Sequence, residues 1–245
     1  MRNVEEKMER IKSVLFDFDG VVADTALDIT SSVNAALGHF GYKKLAKQIV
    51  VSFVGNGAKT LLEKSFHASV KLDESALAWE DNADVIFEWY KNYYRDNCMQ
   101  ETRLYAGLRG LLESLKLKEI PVALVTNKPQ IITDVLLERL EIADFFTAVV
   151  CPEQVQYIKP SPESLLLALH IINENQKNIG KKEILPADTV MVGDSATDIQ
   201  AGKSAGMKTC AITGGYGDTK LLCAQKPDFE FVLASQMLVF FFKSS

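Results

Sequence analysis

From about residue 100 onward the chain alternates short β-branched runs with longer helical patterns, and this rhythm limits the fold more than any other feature. The runs at 120–126 (IPVALVT), 146–150 (FTAVV), 188–194 (DTVMVGD) and 208–213 (KTCAIT) are mostly apolar. Helical patterns lie around and between them, at 108–118, 130–140, 164–173 and 198–205. Strands apolar on both faces need cover on both, and strands separated by helices pair in parallel. With SVLFDFD at 13–19 the core has five strands, and FEFV at 229–232 offers a further one. The reading is an α/β protein with a Rossmann-like parallel sheet.

Residues 25–97 break the rhythm. They contain no convincing strand, only helical patterns such as LDITSSVNAALGHF and DESALAWEDNADVIFEWYKNYYRD. The second carries Trp79, Phe87, Trp89, Tyr90, Tyr93 and Tyr94, which at helical spacing read as a packing face rather than a stacking platform. An all-helical cap domain over 25–97, inserted after the first strand, is predicted, with 1–24 and 98–245 forming the catalytic core. Asp24 reads as the cap of the insertion's first helix, with contact to a metal site as the alternative. GNGA at 55–58 reads either as a joint between cap helices, with Asn56 capping the second, or as a substrate contact.

Composition narrows the class. The chain has 245 residues, 47% hydrophobic and 24% charged, and a net charge of -5 without a long basic block. That fits a globular protein with a sizeable core and argues against nucleic acid or an anionic membrane as the main partner. Cys98, Cys151, Cys210 and Cys223 form no C-x-x-C pair, and His39, His67 and His170 are dispersed. Reduced thiols are expected, rather than a disulfide framework or a zinc site. The charged N-terminal stretch lacks the apolar region of a signal peptide. The apolar tail is interrupted by Glu230, Ser235 and Gln236, so it reads as a strand and a core-docking helix rather than a membrane span. A cytoplasmic protein, monomer or homodimer, is expected.

Polar residues gather at the carboxyl ends of the predicted strands: Asp17 and Asp19 after the first, Thr126 and Asn127 after the second, and Gly193, Asp194 and Ser195 after the fourth. Lys159 follows the third in the loop YIKPSPE. In open parallel sheets ligands bind outside those ends. Asp17 and Asp19 are two apart and project to one side of an extended chain. With Asp194 they make an oxygen-rich, histidine-free cluster suited to Mg²⁺. Such a cation relieves the repulsion among the carboxylates. Lys159, Thr126 and backbone amides around Gly20 are candidate donors to anionic oxygens, the set that phosphoryl transfer needs. One aspartate can act as nucleophile while its neighbour moves protons. GDSATD also reads as a helix start capped by Asp194 or Ser195. TGGYGD at 213–218 reads as a turn near the cap's rim, with a phosphate-cradling turn as the alternative.

DFDGVVADT, VTNK, KPSP and GDSATD, in that order and strand context, resemble the four motifs of the haloacid dehalogenase-like phosphatase superfamily. FVGNGAKTLLEK, YAGLRGLLESL and VALVTNKP are similar to its phosphoglycolate phosphatase group. The resemblance implies Asp17 as nucleophile and Asp19 as general acid and base. It implies Thr126 and Lys159 as phosphoryl ligands, with Asn127 helping to orient the group. Asp194 would hold Mg²⁺ with Asp17 and the Asp19 carbonyl. Asp198, three residues after Ser195 in the same motif, would orient Lys159 or a metal-bound water, with Ser195 in a supporting place. Asp19 separates phosphatases from the dehalogenases, which lack an aspartate there. Val21 stands where many members have threonine, and VCPEQ at 150–154 replaces a more acidic, glycine-containing turn.

The expected activity is Mg²⁺-dependent hydrolysis of a small phosphorylated metabolite, first 2-phosphoglycolate, through an aspartyl-phosphate. The alternatives are a phosphosugar mutase of the β-phosphoglucomutase type, a pyrophosphatase or nucleotidase, and a catalytically silent binding protein on the same scaffold.

Overall fold

Strand β1, Ser13–Phe16, is buried along its whole length, and its side chains alternate between two cores. Val14 and Phe16 pack in one core with Leu108, Leu111, Leu112 and Leu115. Leu15 packs in the other with Leu165, Ala168, Leu169 and Ile172. The computed structural model describes residues 11–73 and 75–241.

After β1 come β2 (Ala23–Asp24) and the helices α1 (Ala26–His39), α2 (Lys47–Val51), α3 (Ala58–Ala68) and α4 (Trp79–Asn97), then β3 (Arg103–Leu104). There follow α5 (Leu108–Leu117), β4 (Val122–Val125), α6 (Gln130–Arg139), β5 (Ala148–Val150), α7 (Glu163–Asn178) and β6 (Thr189–Gly193). The last elements are α8 (Ala196–Ser204), β7 (Lys208–Ile212), α9 (Thr219–Ala224), β8 (Phe229–Phe231) and α10 (Leu238–Phe241). The six-stranded sheet has the order β5-β4-β1-β6-β7-β8, and every neighbouring pair is parallel. The chain moves out from β1 to β4 and β5, then returns to β6 on β1's other side. Strand order therefore reverses at β1, and its carboxyl end opens into the crevice where such sheets bind ligands.

The α/β core thus follows the apolar runs, and FEFV supplies β8. The ladders are shorter than the runs: Pro121, which has no N–H, stays outside β4, and the polar ends Asp17, Thr126 and Asp194 leave the sheet. Helix α7 runs five residues past the predicted end, to Asn178. The tail carries β8, a 3₁₀ turn that buries Ala234 and Met237, and the short α10. The predicted readings of the first ten residues and of the last four lie outside the described residues.

The helical insertion between β2 and β3 is built on apolar stripes. In α1 these are Ile29, Val33, Ala36 and Leu37; in α4 they are Trp79, Ile86, Tyr90 and Tyr94. Among the described residues its only strand-like pairing is an isolated bridge between Tyr42 and Lys71. At its base β2 pairs antiparallel with β3, a two-residue ladder too short to leave a periodic signal in sequence. Asp28, 2% exposed, ties α1 to the returning chain. Its carboxylate accepts the Glu101 amide at 3.0 and 3.1 Å, the Thr102 amide at 2.9 Å and the Thr102 hydroxyl at 2.8 Å. Asp28→Ala strands these buried donors and is expected to cost about 3 kcal/mol. A thermal melt should fall by roughly 6–12 °C.

No helix among the described residues is long and apolar enough to cross a membrane. All four cysteines are free, and Cys98, Cys151 and Cys210 are buried.

Candidate active site

Lys159 is the hub of the strand-end groups. Its ammonium, 2% exposed, lies 2.8 Å from Asp17 Oδ1 and 2.7 Å from Asp198 Oδ1, and donates to the Val125 carbonyl at 2.7 Å. All three of its hydrogens are therefore engaged. Burial alone would drive this lysine toward its neutral form, but Asp17 and Asp198 outweigh that and hold its pKa above the usual lysine range. The loop that carries it is fixed from two sides. Glu163, at the start of α7, accepts the amides of Gln156 and Tyr157 at 2.8 and 2.9 Å. Asn127 clasps the Lys159 backbone, accepting its N–H and donating to its carbonyl, both at 3.1 Å. The same Asn127 amide donates to Gly55 in the insertion at 3.0 Å. Asn127 is thus occupied with backbone, and it positions Lys159 rather than offering a free amide.

Asp19 lines the same cavity as Asp17 but has other partners, and its carboxylate is not among the three that cluster for a metal. Its Oδ1 accepts the Thr25 hydroxyl at 2.6 Å and sits 3.2 Å from the Lys128 ammonium. Lys128 in turn donates to the Tyr94 hydroxyl at 2.9 Å. Thr126, at the end of β4, has its hydroxyl oxygen accepting the Lys128 amide at 3.2 Å, which leaves its own hydrogen for a ligand. Gly20 adopts a left-handed φ of +83°, and a side chain there would strike Asp194. Its amide is taken by the Ala23 carbonyl at 3.1 Å. The expected donor role of Gly20 itself is therefore corrected: this glycine lets the turn lie against Asp194.

Asp194 closes β6 beneath the loop at 213–218. Its Oδ2 accepts the Tyr216 amide at 2.5 Å, and Gly215 lies so near that any side chain would collide with the carboxylate. The Tyr216 hydroxyl meets Asp24 Oδ1 at 2.6 Å and accepts the Thr25 and Ala26 amides at 2.5 and 3.0 Å. TGGYGD is thus more than a rim turn, because it holds Asp194 and braces the start of α1. Asp24 also accepts the Ala26 amide at 3.2 Å, although Thr25 occupies the N-cap position. Ser195 is the N-cap residue of α8. Its amide and hydroxyl both donate to Asp198 Oδ2, at 3.1 and 2.6 Å.

The donor chemistry fits a hard divalent cation. Ligand oxygens of Asp17, Asp194 and Asp198 lie within 4.8 Å of one another. Both Asp198 oxygens are already engaged, by Lys159 and Ser195, which leaves Asp17 and Asp194 as the better-placed ligands. Burial pushes the Asp17 carboxyl up to about 7; Lys159 pulls it down, while Asp198 and Asp19 push it up. Burial, then Asp17 and Asp198, raise Asp194 well above the usual carboxylate range, against the Tyr216 and Gly217 amides. The carboxylates of Asp17, Asp19, Asp194 and Asp198 face the two ammonium groups of Lys128 and Lys159. A divalent cation would supply the two positive charges that this set lacks.

The insertion roofs the site. Ile29, Val54, Leu61, Tyr90 and Tyr94 face Asp17, Asp19 and Thr126 across a cavity of about 40 Å³, room for about three waters. Gly55, Gly57 and Ala58 line it too, so the segment at 55–58 serves as both joint and wall. Gly57, not Asn56, stands at the N-cap of α3. Sequence reasoning missed Thr25, Lys128, Tyr90, Tyr94 and Tyr216. The aromatic stripe of α4 was legible as packing, and Tyr90 and Tyr94 are indeed buried, but their second role depends on how α4 docks.

A family model described as haloacid dehalogenase-like hydrolase matches residues 14–212. A phosphoglycolate phosphatase of Neisseria meningitidis is 33% identical over 225 residues, 91% of this chain and 90% of the relative. One from Escherichia coli O157:H7 is 31% identical, covering 91% of this chain and 89% of its own length. The crystal structure of a predicted phosphoglycolate phosphatase from Haemophilus somnus superposes with a TM-score of 0.80 at 28% identity, covering 94% of this chain and 97% of the other.

Proposed function

The chain belongs to the haloacid dehalogenase-like hydrolase family and is a phosphatase, and from that premise we propose that it hydrolyses 2-phosphoglycolate through an aspartyl-phosphate on Asp17, with Mg²⁺ as its cation. The observation that carries this reading is the shared contact of Lys159 with Asp17 and Asp198, next to Asp194, at one sheet edge. The helical block 25–97 acts as a cap on the core of 1–24 and 98–245, excluding water while the ester is cleaved.

Asp17 attacks phosphorus as the ester P–O bond breaks, and Asp19 gives its proton to the departing alcohol. Asp19 then takes a proton from the water that attacks the acyl phosphate, which releases inorganic phosphate and restores Asp17. Thr25 holds Asp19 in place throughout. Lys159 supplies positive charge to the phosphoryl oxygens, exchanging one of its three contacts for them, and Asp198 keeps it aligned. Thr126 donates its free hydroxyl hydrogen. A cation held by Asp17, Asp194 and the Asp19 carbonyl would neutralise the carboxylate cluster and the phosphoryl charge.

A phosphate-release screen over phosphorylated metabolites tests the proposal. The expected result is the highest kcat/KM for 2-phosphoglycolate, release without any sugar bisphosphate activator, and complete loss on chelation with recovery on adding Mg²⁺. A clear win for a sugar phosphate or a nucleotide would replace the substrate, and turnover that survives chelation would remove the cation. The protein is proposed to work in the cytoplasm as a monomer or homodimer.

A further inference from the structure

The phosphoryl chemistry leaves one buried cation without a role. Lys128 is 6% exposed and lines the cavity beside Asp19. Its ammonium contacts Asp19 at 3.2 Å and the Tyr94 hydroxyl at 2.9 Å, 4.4 Å from that ring's centroid. An ammonium has three hydrogens, so one remains for a ligand. Lys159 already serves the phosphoryl group from the Asp17 side. Among the described residues Lys128 is the only cationic side chain lining this cavity, and the roof above it is apolar or phenolic. Asp19 pairs this buried charge, and one ammonium hydrogen stays uncommitted and faces the cavity. An ammonium facing such a roof points to an anion in the ligand.

Its distance from Asp19 says where on the ligand that anion sits. Asp19 protonates the leaving oxygen, which must come within about 3 Å of it. Lys128 is one further contact away, so an anion it holds lies one or two carbons from the ester oxygen. We infer that Lys128 is a specificity-determining residue that binds a carboxylate on the leaving alcohol, so that the site selects phosphate esters of short hydroxy acids. This inference rests on the phosphatase reading above, and it assigns the substrate's second charge to a residue of the core rather than of the insertion.

The test compares kcat/KM, with Mg²⁺, for 2-phosphoglycolate and for 2-hydroxyethyl phosphate, which has similar length but a neutral end. The wild type is expected to favour 2-phosphoglycolate by about 100-fold, the scale of a buried charge pair. Lys128→Met should reduce that preference to within about threefold, losing mainly on the carboxylate ester. Lys128→Arg should keep at least part of it. If Lys128 only positioned Asp19, Lys128→Met would slow both esters alike and preserve the ratio, which overturns the inference. A wild type that cleaves both esters equally overturns it too, while the phosphatase reading stands; cleavage of neither removes both. Should Lys128→Met fail to fold, inhibition of the wild type decides: glycolate should compete with p-nitrophenyl phosphate and ethylene glycol should not. Equal inhibition by the two, or none by either, overturns the inference.

Discussion

Asp17→Asn is expected to lower phosphate release by about 10⁴-fold or more while folding at least as well as the wild type. The two halves of this result have separate causes. The amide oxygen is a poor nucleophile, so the covalent route is lost, and that loss is about 5.5 kcal/mol of transition-state stabilisation. The fold loses little, because Lys159 keeps Asp198 at 2.7 Å and the Val125 carbonyl at 2.7 Å. An asparagine oxygen can still accept from the ammonium. Burial, which pushes the Asp17 carboxyl up to about 7, no longer acts against a charge. Phosphate release and a thermal melt on the same preparation check both halves. Activity within tenfold of the wild type would remove Asp17 from the chemistry.

Asp194→Asn is expected to reverse the stability ranking depending on the cation. In chelator at pH 8 the variant should be the more stable protein, by roughly 2 kcal/mol, since it removes one like charge from a buried cluster. The sign follows from linkage. Asp17 and Asp194 have folded-state pKa values raised above the ordinary carboxylate value. The folded state therefore holds their protons more tightly than the unfolded state does. Stability is full below about pH 4, and for Asp17 it is lost as pH rises toward about 7. With Mg²⁺ the wild type should gain through binding, by about 2.7 kcal/mol at one hundred times the dissociation constant. The variant, short of a ligand, should gain little, so the melting curves exchange order. A variant less stable than the wild type in chelator at pH 8 would contradict the electrostatic account of the cluster.

Legibility in the sequence followed how local each signal was. The buried strands could be read because each is short, apolar and bounded by turn residues, as Val122–Val125 is by Pro121 and by Thr126-Asn127. Asp17, Asp194 and Lys159 could be read because parallel strands bring their carboxyl ends to one edge whatever the intervening lengths. Lys128 could not, since a lysine two positions past Thr126 has the same local signature whether it is solvated or buried. Only the docking of α4 puts Tyr94 above it. Tyr216 was hidden for a related reason: its turn is legible, but the simultaneous contact with Asp194, Thr25 and Asp24 joins three distant segments. Capping preference favours asparagine and so points to Asn56, while the backbone turns one residue later at Gly57, whose φ is +86°.

In the proposed mechanism Asp17 carries the phosphoryl group between two half-reactions. Acid-quenching the enzyme during turnover of phosphoryl-labelled substrate and counting label on the protein, then reducing a parallel sample with borohydride and mapping its peptides, reads this directly. Label on the protein before reduction, and homoserine in place of Asp17 after it with the label released as phosphate, are expected, both absent from Asp17→Asn. A reduced side chain at another position, or no label under rapid quenching while phosphate is being released, would overturn it.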